Sequence, residues 1–398
     1  MRVPRCLIAR FRAYHYYDDL ARACTESGME VALAFCEYRE DVDAFNQVIE
    51  RFRPDFILSH PHFSESISAI GAARGIPVVH WMVDKIIHRG QFHRGKFSDG
   101  DLILSTYRHD VDHFRGMGVR AEYLPNACNI LPVDDVHGDP RYGVGFVGTI
   151  ELGENNYYRQ FVDTMRTQSV GQAPELIAVI EKMIQFFDQV LDLQEEASKN
   201  FQYILPHLEK NLFRSLEGIF TFKNDEGDSA NFTANDMVAI LIKETSFRQR
   251  RHFFSALPSL DAFGPEDWTR ANLPNVRYHG TCEQYRESGQ VFAHSRINLA
   301  IARIYSLDGL SDRIFNVLFA GGFLLANRHD PLSELFREGI DLDTYATVEE
   351  LLDKIRFYEN NPQARERIAR AGRENVLRNH TFKNRAAELR RLATSLRG

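Results

Sequence analysis

Residues 308–326, DGLSDRIFNVLFAGGFLLA, decide the reading of this chain. Asp308, Gly309, Leu310 and Ser311 are turn and N-cap types, and the Ser311 hydroxyl can accept a backbone N–H from a helix's first turn. Ile314, Val317 and Leu318 follow at i, i+3 and i+4, so the helix has one apolar face. Gly321 and Gly322 end it, because glycine takes positive φ at little cost. Residues 323–326, FLLA, then read as a short buried strand. The whole is one αβ unit of a parallel sheet. A helix start of this kind also suits a phosphate, since free N–H groups and the dipole point at it.

The same alternation runs upstream. Residues 6–9, 31–35, 55–59, 77–81 and 101–105 are short apolar runs separated by polar or amphipathic segments. That pattern implies right-handed βαβ units and a parallel sheet. In such sheets function collects in the loops after the strands' carboxyl ends. Those loops hold His15 among Tyr14, Tyr16 and Tyr17, then His60-Pro61-His62, then Asp84, then Ser105, Thr106 and Tyr107. Asp84 either caps a helix or takes a proton from a substrate hydroxyl. His15 either begins a helix or faces a ligand. His60 and His62 have metal-ligand chemistry but lack a third ligand, so no metal site is expected.

A linker at 130–142, rich in Pro, Asp and Gly, marks a domain boundary. Residues 143–148, GVGFVG, open a second sheet. Gly143, Gly145 and Gly148 match the GxGxxG spacing, yet two of them lie in or before the strand, so no dinucleotide fingerprint is assigned. From about 155 to 250 apolar residues recur at helical spacing, through 176–191, 204–219 and 234–247, with a polar break at 223–231. This predicts an all-helical insertion. It is either a lobe packed on the sheet or a surface for a protein partner, since its apolar stripe must be covered.

The chain has 398 residues, 44% hydrophobic and 26% charged, enough for two cored domains. A net charge of -7 gives no basic excess for nucleic acid. No apolar run reaches transmembrane length, and the polar N-terminus reads as a first strand rather than a signal peptide. Five scattered cysteines form no CxxC pair, which points to a reducing, cytoplasmic setting.

The 308–326 stretch resembles the donor-binding segment of the CgeB-like glycosyltransferases, GT-B proteins of the glycosyltransferase family 1 type. Asp308, Gly309, Leu310, Arg313, Phe315, Ala320, Gly321, Gly322, Phe323 and Leu324 carry the match. The resemblance extends to Gly148-Thr149, to NVRYHG at 275–280, to Leu124-Pro125-Asn126-Ala127, and to the tail through His380-Thr381-Phe382. It covers most of 100–149 and 250–390, is weaker over 1–100, and is absent from the insertion. Many retaining GT-B enzymes carry two glutamates separated by seven residues here, the first on the donor sugar and the second on the ribose. Asp308 and Asn316 stand at that spacing, and Asn316 offers an uncharged amide in place of the acid.

The resemblance implies an α/β fold of two Rossmann-like domains facing a cleft. Residues 1–135 form the acceptor-side domain, 136–380 the donor domain, and 381–398 a helix crossing back to the first. The implied activity moves a sugar from a nucleotide-diphosphate sugar to a hydroxyl of a glycan, protein or small molecule. It needs no metal, and no cofactor beyond the nucleotide-diphosphate sugar that is its substrate. Donor contacts fall to Gly148, Thr149, His279, Gly280, Asp308, Gly309, Leu310, Ser311, Arg313 and Asn316. Asp84, His15 and Asp308 are the catalytic candidates; Asp84 as base favours inversion and Asp308 favours retention. Two alternatives share the fold: a nucleotide-sugar 2-epimerase, and a non-catalytic GT-B protein that binds a partner through its insertion.

Overall fold

The structure is a computed structural model that describes residues 2–86, 92–134, 139–152, 157–205, 221–223, 229–231, 234–394 and 396. Two six-stranded sheets, both wholly parallel, form the frame. The first contains β1 (Arg5–Arg10), β2 (Glu30–Phe35), β3 (Phe56–Ser59), β4 (Val78–Met82), β5 (Asp101–Ser105) and β6 (Arg120–Tyr123), in the order β2-β1-β3-β4-β5-β6. Every residue of β3, β4 and β5 is buried. That is why these strands read as continuous apolar runs rather than as alternating ones.

The second sheet begins with β7 (Tyr142–Val147). After the insertion, whose strands are β8 (Thr221–Lys223) and β9 (Ser229–Asn231), it resumes with β10 (Leu260–Phe263), β11 (Val276–Tyr278), β12 (Ser295–Ala300), β13 (Leu324–Asn327) and β14 (Asp343–Tyr345). Its order is β11-β10-β7-β12-β13-β14, the doubly wound Rossmann order. The two domains therefore have the GT-B architecture, with the first sheet's chain order reversing beside β1 and the second's between β7 and β12.

Helices α1 (Tyr17–Glu26), α2 (Asp41–Phe52), α3 (Glu65–Ala72) and α4 (Arg108–Gly116) serve the first sheet. The insertion carries α5 (Tyr157–Ser169), α6 (Pro174–Ser198) and α7 (Ala234–Ser255), which share one apolar core of Phe161, Ile184, Phe187, Leu191, Leu241 and their neighbours. It is not all-helical: β8 pairs antiparallel with β9 inside the polar break. Thr221 and Phe222 are β-branched and aromatic, residue types that favour a strand over a helix. The helix read over 204–219 falls largely outside the described residues. The helical patterns on either side of 248 are one helix, α7.

Helices α8 (Ser288–Ala293), α9 (Asp312–Phe319), α10 (Asp330–Leu335), α11 (Val348–Asn360) and α12 (Pro362–Asn379) complete the second domain. The last helix, α13 (Phe382–Thr394), lies on the first domain: Phe382, Ala386, Leu389 and Leu392 share a core with Leu7, Ile8 and Leu20. Arg385 secures it by donating to the carbonyls of Pro125 (2.8 Å) and Asn126 (2.9 Å). Among the described residues no helix is long and apolar enough to cross a membrane. All five cysteines are free.

Candidate active site

The carboxyl edges of the two sheets face a shared cavity of about 370 Å³. The first domain contributes residues 13–16 after β1, Pro61 after β3, Val83 and Asp84 after β4, and Tyr107 after β5. The second contributes 300–303 at the end of β12, Asn327 and His329 after β13, and the first turn of α9. Both points of reversed strand order open into it, where open α/β sheets bind ligands.

Helix α9 starts and stops by local chemistry. At its far end Gly321 N–H bonds the Leu318 carbonyl and Gly322 N–H bonds that of Val317, each at 3.0 Å, with Gly321 at φ 81°. That is a Schellman stop. At its near end Ser311 is the N-cap but makes no side-chain cap bond, contrary to the expected hydroxyl cap. Its carbonyl instead accepts from Ile314 N–H at 3.2 Å, and Ser311 lines the cavity with Asp312 and Arg313. The helix start thus meets the cavity without a side-chain cap on its first N–H groups.

Arg313 projects from that first turn and stacks its guanidinium 4.7 Å from the Phe146 ring centroid. Among the described residues it makes no hydrogen bond or ion pair. Burial, then the positive charges of Arg250 and Arg303, push it down to about 9. Gly148 packs over it: a Cβ there would sit 2.2 Å from Arg313 Nη2, and φ is +146°. The backbone angle requires glycine, and a side chain there would also push the Arg313 guanidinium aside.

A cation cluster adjoins Arg313. Glu151, 5% exposed, receives Arg303 Nε at 2.7 Å, Arg250 Nη1 at 3.2 Å and Lys243 Nζ at 3.2 Å. Burial alone would raise this carboxyl, but the three cations hold it at about 2. Arg250 and Arg303 line the cavity. Glu151, Lys243, Arg250 and Arg303 are not among the residues expected from the sequence. The available signal was the spacing of Lys243 and Arg250, seven residues apart on one helix face.

His15 and Asp84 both line the first domain's side of the cavity. Desolvation by the surrounding cavity wall raises the Asp84 carboxyl although the residue keeps an exposed face; nearby Arg303 opposes the rise and Asp312 reinforces it. Tyr14 and Tyr16 stand beside them, ring centroids 5.7 Å apart. His60 belongs to the core instead, stacked on Trp81 at 4.3 Å. Among the described residues no cluster of three or more His, Cys, Asp or Glu is arranged for a metal.

Several expected donor contacts point elsewhere. Asp308 Oδ2 accepts from Lys85 Nζ (2.7 Å) and His109 N–H (2.9 Å) in the first domain, so its carboxylate is engaged at the domain boundary. Asn316 is buried and paired with Asn129: its Oδ1 accepts from Asn129 N–H at 2.9 Å and its Nδ2 donates to Asn129 Oδ1 at 2.7 Å. Asp312, one turn earlier, is the acid of α9 on the cavity wall, held by Asn129 Nδ2 at 3.2 Å and by Gln284. His279 Nε2 pairs with Asp261 Oδ1 at 2.8 Å and stacks on Phe263, off the cavity. Gly280, at φ +91°, turns the chain beside it and accepts from Gly264 N–H. Thr149 Oγ1 donates to Asp267 Oδ2 at 2.7 Å and accepts from Glu151 N–H, shaping the loop behind the cations. Leu310 is core, and Gly309 lines the cavity while bridging to Tyr107.

A family model described as "Glycosyl transferase-like" matches residues 248–391. Comparison with curated proteins gives no match. Similar solved structures include sucrose-phosphate synthase from Thermosynechococcus elongatus, at 10% identity and TM-score 0.49 over 99% of each chain. HepE of Anabaena, in complex with UDP and glucose, aligns at 10% identity and TM-score 0.48 over 99% of this chain and 100% of its own. A glycosyltransferase from Rickettsia africae aligns at 8% identity and TM-score 0.49 over 100% of this chain and 99% of its own. Residues 248–391 are thus similar to a glycosyl transferase-like family, within a two-domain chain of GT-B architecture.

Proposed function

We propose that this protein is a glycosyltransferase of the CgeB-like type, taking a sugar from a nucleoside-diphosphate sugar without a metal ion and passing it to an acceptor hydroxyl. One observation carries the reading. The uncapped start of α9 and the unpaired Arg313 face the same interdomain cavity as Arg250 and Arg303. When the bond from the anomeric carbon to the phosphate oxygen breaks, its electron pair stays on the diphosphate. Fixed cations and helix N–H groups aimed there lower the barrier, because they stabilise charge that develops in the transition state. A guanidinium meets phosphate oxygens in a bidentate fork. Asp312 serves the ribose better than Asn316 does, since its carboxylate is on the wall.

The acceptor enters on the first domain's side. Asp84 takes the hydroxyl proton, its raised pKa making it the stronger base, and His15 orients the acceptor. A second cavity of about 560 Å³, lined by Phe11, Glu37, Tyr38 and His62, shares Ala13 and Tyr14 with the first and supplies room for the acceptor's body. Free thiols suit a cytoplasmic setting.

The test is turnover of UDP-, GDP- and dTDP-sugars by the purified chain, with and without EDTA. Release of nucleoside diphosphate from one of them, insensitive to EDTA, is the expected result. No release and no donor binding across the panel would rule the reading out.

A further inference from the structure

We infer that Glu151 is a positioning residue that makes the insertion part of the donor site: its carboxylate sets Arg303 and the insertion's Arg250 at the cavity wall to receive a diphosphate. This rests on the reading of the cavity as a nucleoside-diphosphate site.

The backbone is the first sign. Glu151 sits at φ +70°, in the left-handed region that a side chain other than glycine rarely adopts. Such strain persists only where surrounding bonds over-determine it. Here Thr149 Oγ1 holds the Glu151 N–H at 2.8 Å, and three cations hold the carboxylate.

Charge is the second. Lys243, Arg250 and Arg303 surround a single carboxylate, and Arg313 adds a fourth cation beside them. Asp84, Asp267 and Asp312 are the other acids acting on the group, but among the described residues Asp84 and Asp312 stand on the cavity wall with Arg250 and Arg303 without an ion pair to them. Arg250 also has a buried Nε without a partner. A diphosphate supplies the missing acceptor.

The insertion's anchoring is the third. Lys243 and Arg250 lie two turns apart on α7, while Met237, Val238, Leu241 and Ile242 of the same helix bury into the insertion's own core. One face of α7 is thus fixed to the lobe and another is tied to Glu151. Lys243 does not line the cavity, so it acts on a ligand there through Glu151.

The experiment is calorimetric titration of the full chain with inorganic pyrophosphate, and with the nucleoside diphosphate that wild type binds best. Wild type is compared with Glu151→Gln, Lys243→Met and the double variant. By simple electrostatics, removing a carboxylate beside an anion site strengthens anion binding. A positioning role predicts the reverse: Glu151→Gln, less stable because three cations lose their carboxylate, stays folded at the titration temperature by its melting profile and weakens pyrophosphate at least tenfold. Lys243→Met weakens it about threefold alone and by less than twofold in the Glu151→Gln background, the signature of coupled residues. Equal or tighter pyrophosphate binding by a folded Glu151→Gln overturns the inference. Should that variant fail to fold, Lys243→Met decides: unchanged affinity overturns, a threefold loss supports. A wild type that binds no nucleoside diphosphate overturns the donor reading as well.

Discussion

Lys85 Nζ lies 2.7 Å from Asp308 Oδ2 and 3.1 Å from Asp110 Oδ1, with side chains 6%, 11% and 1% exposed. Asp308 opens the loop ahead of α9, while Lys85 and Asp110 belong to the first domain. One ammonium therefore holds a buried and a partly buried carboxylate together across the cleft. The backbone repeats the link, His109 N–H donating to Asp308 and Tyr107 bridging to Gly309.

Lys85→Met leaves Asp110 and Asp308 facing each other without a cation. Breaking a buried pair by removing one partner costs about 3–5 kcal/mol. The predicted loss is about 3 kcal/mol, read from urea unfolding. Asp308→Asn keeps an acceptor for Lys85 and is predicted to cost less. Equal stability of Lys85→Met and wild type would show that the clamp does not hold the domains.

Gly148→Ala drives a methyl group into the space of Arg313, 2.2 Å from its Nη2. A hydrogen bond to a charged group is worth about 1.5–3 kcal/mol. Displacing Arg313 should therefore weaken nucleoside-diphosphate binding by roughly ten- to a hundredfold. Arg313→Met is predicted to give the same loss, and the pair together little more than either. Additive losses would mean that Gly148 acts on the ligand by another route.

His60 is buried on Trp81, with its Nδ1 3.2 Å from the Trp81 carbonyl, and burial pushes it down to about 3. Between that value and the ordinary 6.5 the unfolded chain binds the proton and the folded chain does not. Stability from this residue is thus full above the ordinary value and falls as the solution is acidified. Binding one more proton in the unfolded state costs about 1.4 kcal/mol of stability for each pH step downward. Between about pH 6.5 and about pH 4.5 the loss is therefore about 2–3 kcal/mol. His60→Phe keeps an aromatic ring on Trp81 and removes the proton site. Its stability should vary correspondingly less over that range, and an unaltered pH slope would contradict the assignment.

Much of the frame was legible in the sequence. Strand β5 matches its apolar run DLILS at both ends, because a strand buried on both faces advertises itself. The Gly321-Gly322 stop was legible for a related reason, since it depends on neighbours within one turn, whereas Arg313 was expected from the family resemblance alone. What escaped depends on partners far along the chain. Glu151 meets Lys243 and Arg250 across 92 and 99 residues, and Asn316 meets Asn129 across 187. The spacing of Asp308 and Asn316 suggested a pair of ligand contacts. Packing turns one to Lys85, 223 residues away, and the other to Asn129 at the start of the interdomain linker. The strands inside the insertion were hidden by the strong helical periodicity around them.

Sugar transfer at this cleft requires a diphosphate against the first turn of α9 beside Arg313. A crystal of the full chain soaked with mixed UDP, GDP and dTDP tests that placement most directly. The predicted result is a bound diphosphate with oxygens within hydrogen-bonding distance of the Arg313 guanidinium and the opening N–H groups of α9. A nucleotide whose phosphates lie away from that helix start, or an empty cavity at saturating nucleotide, would contradict it.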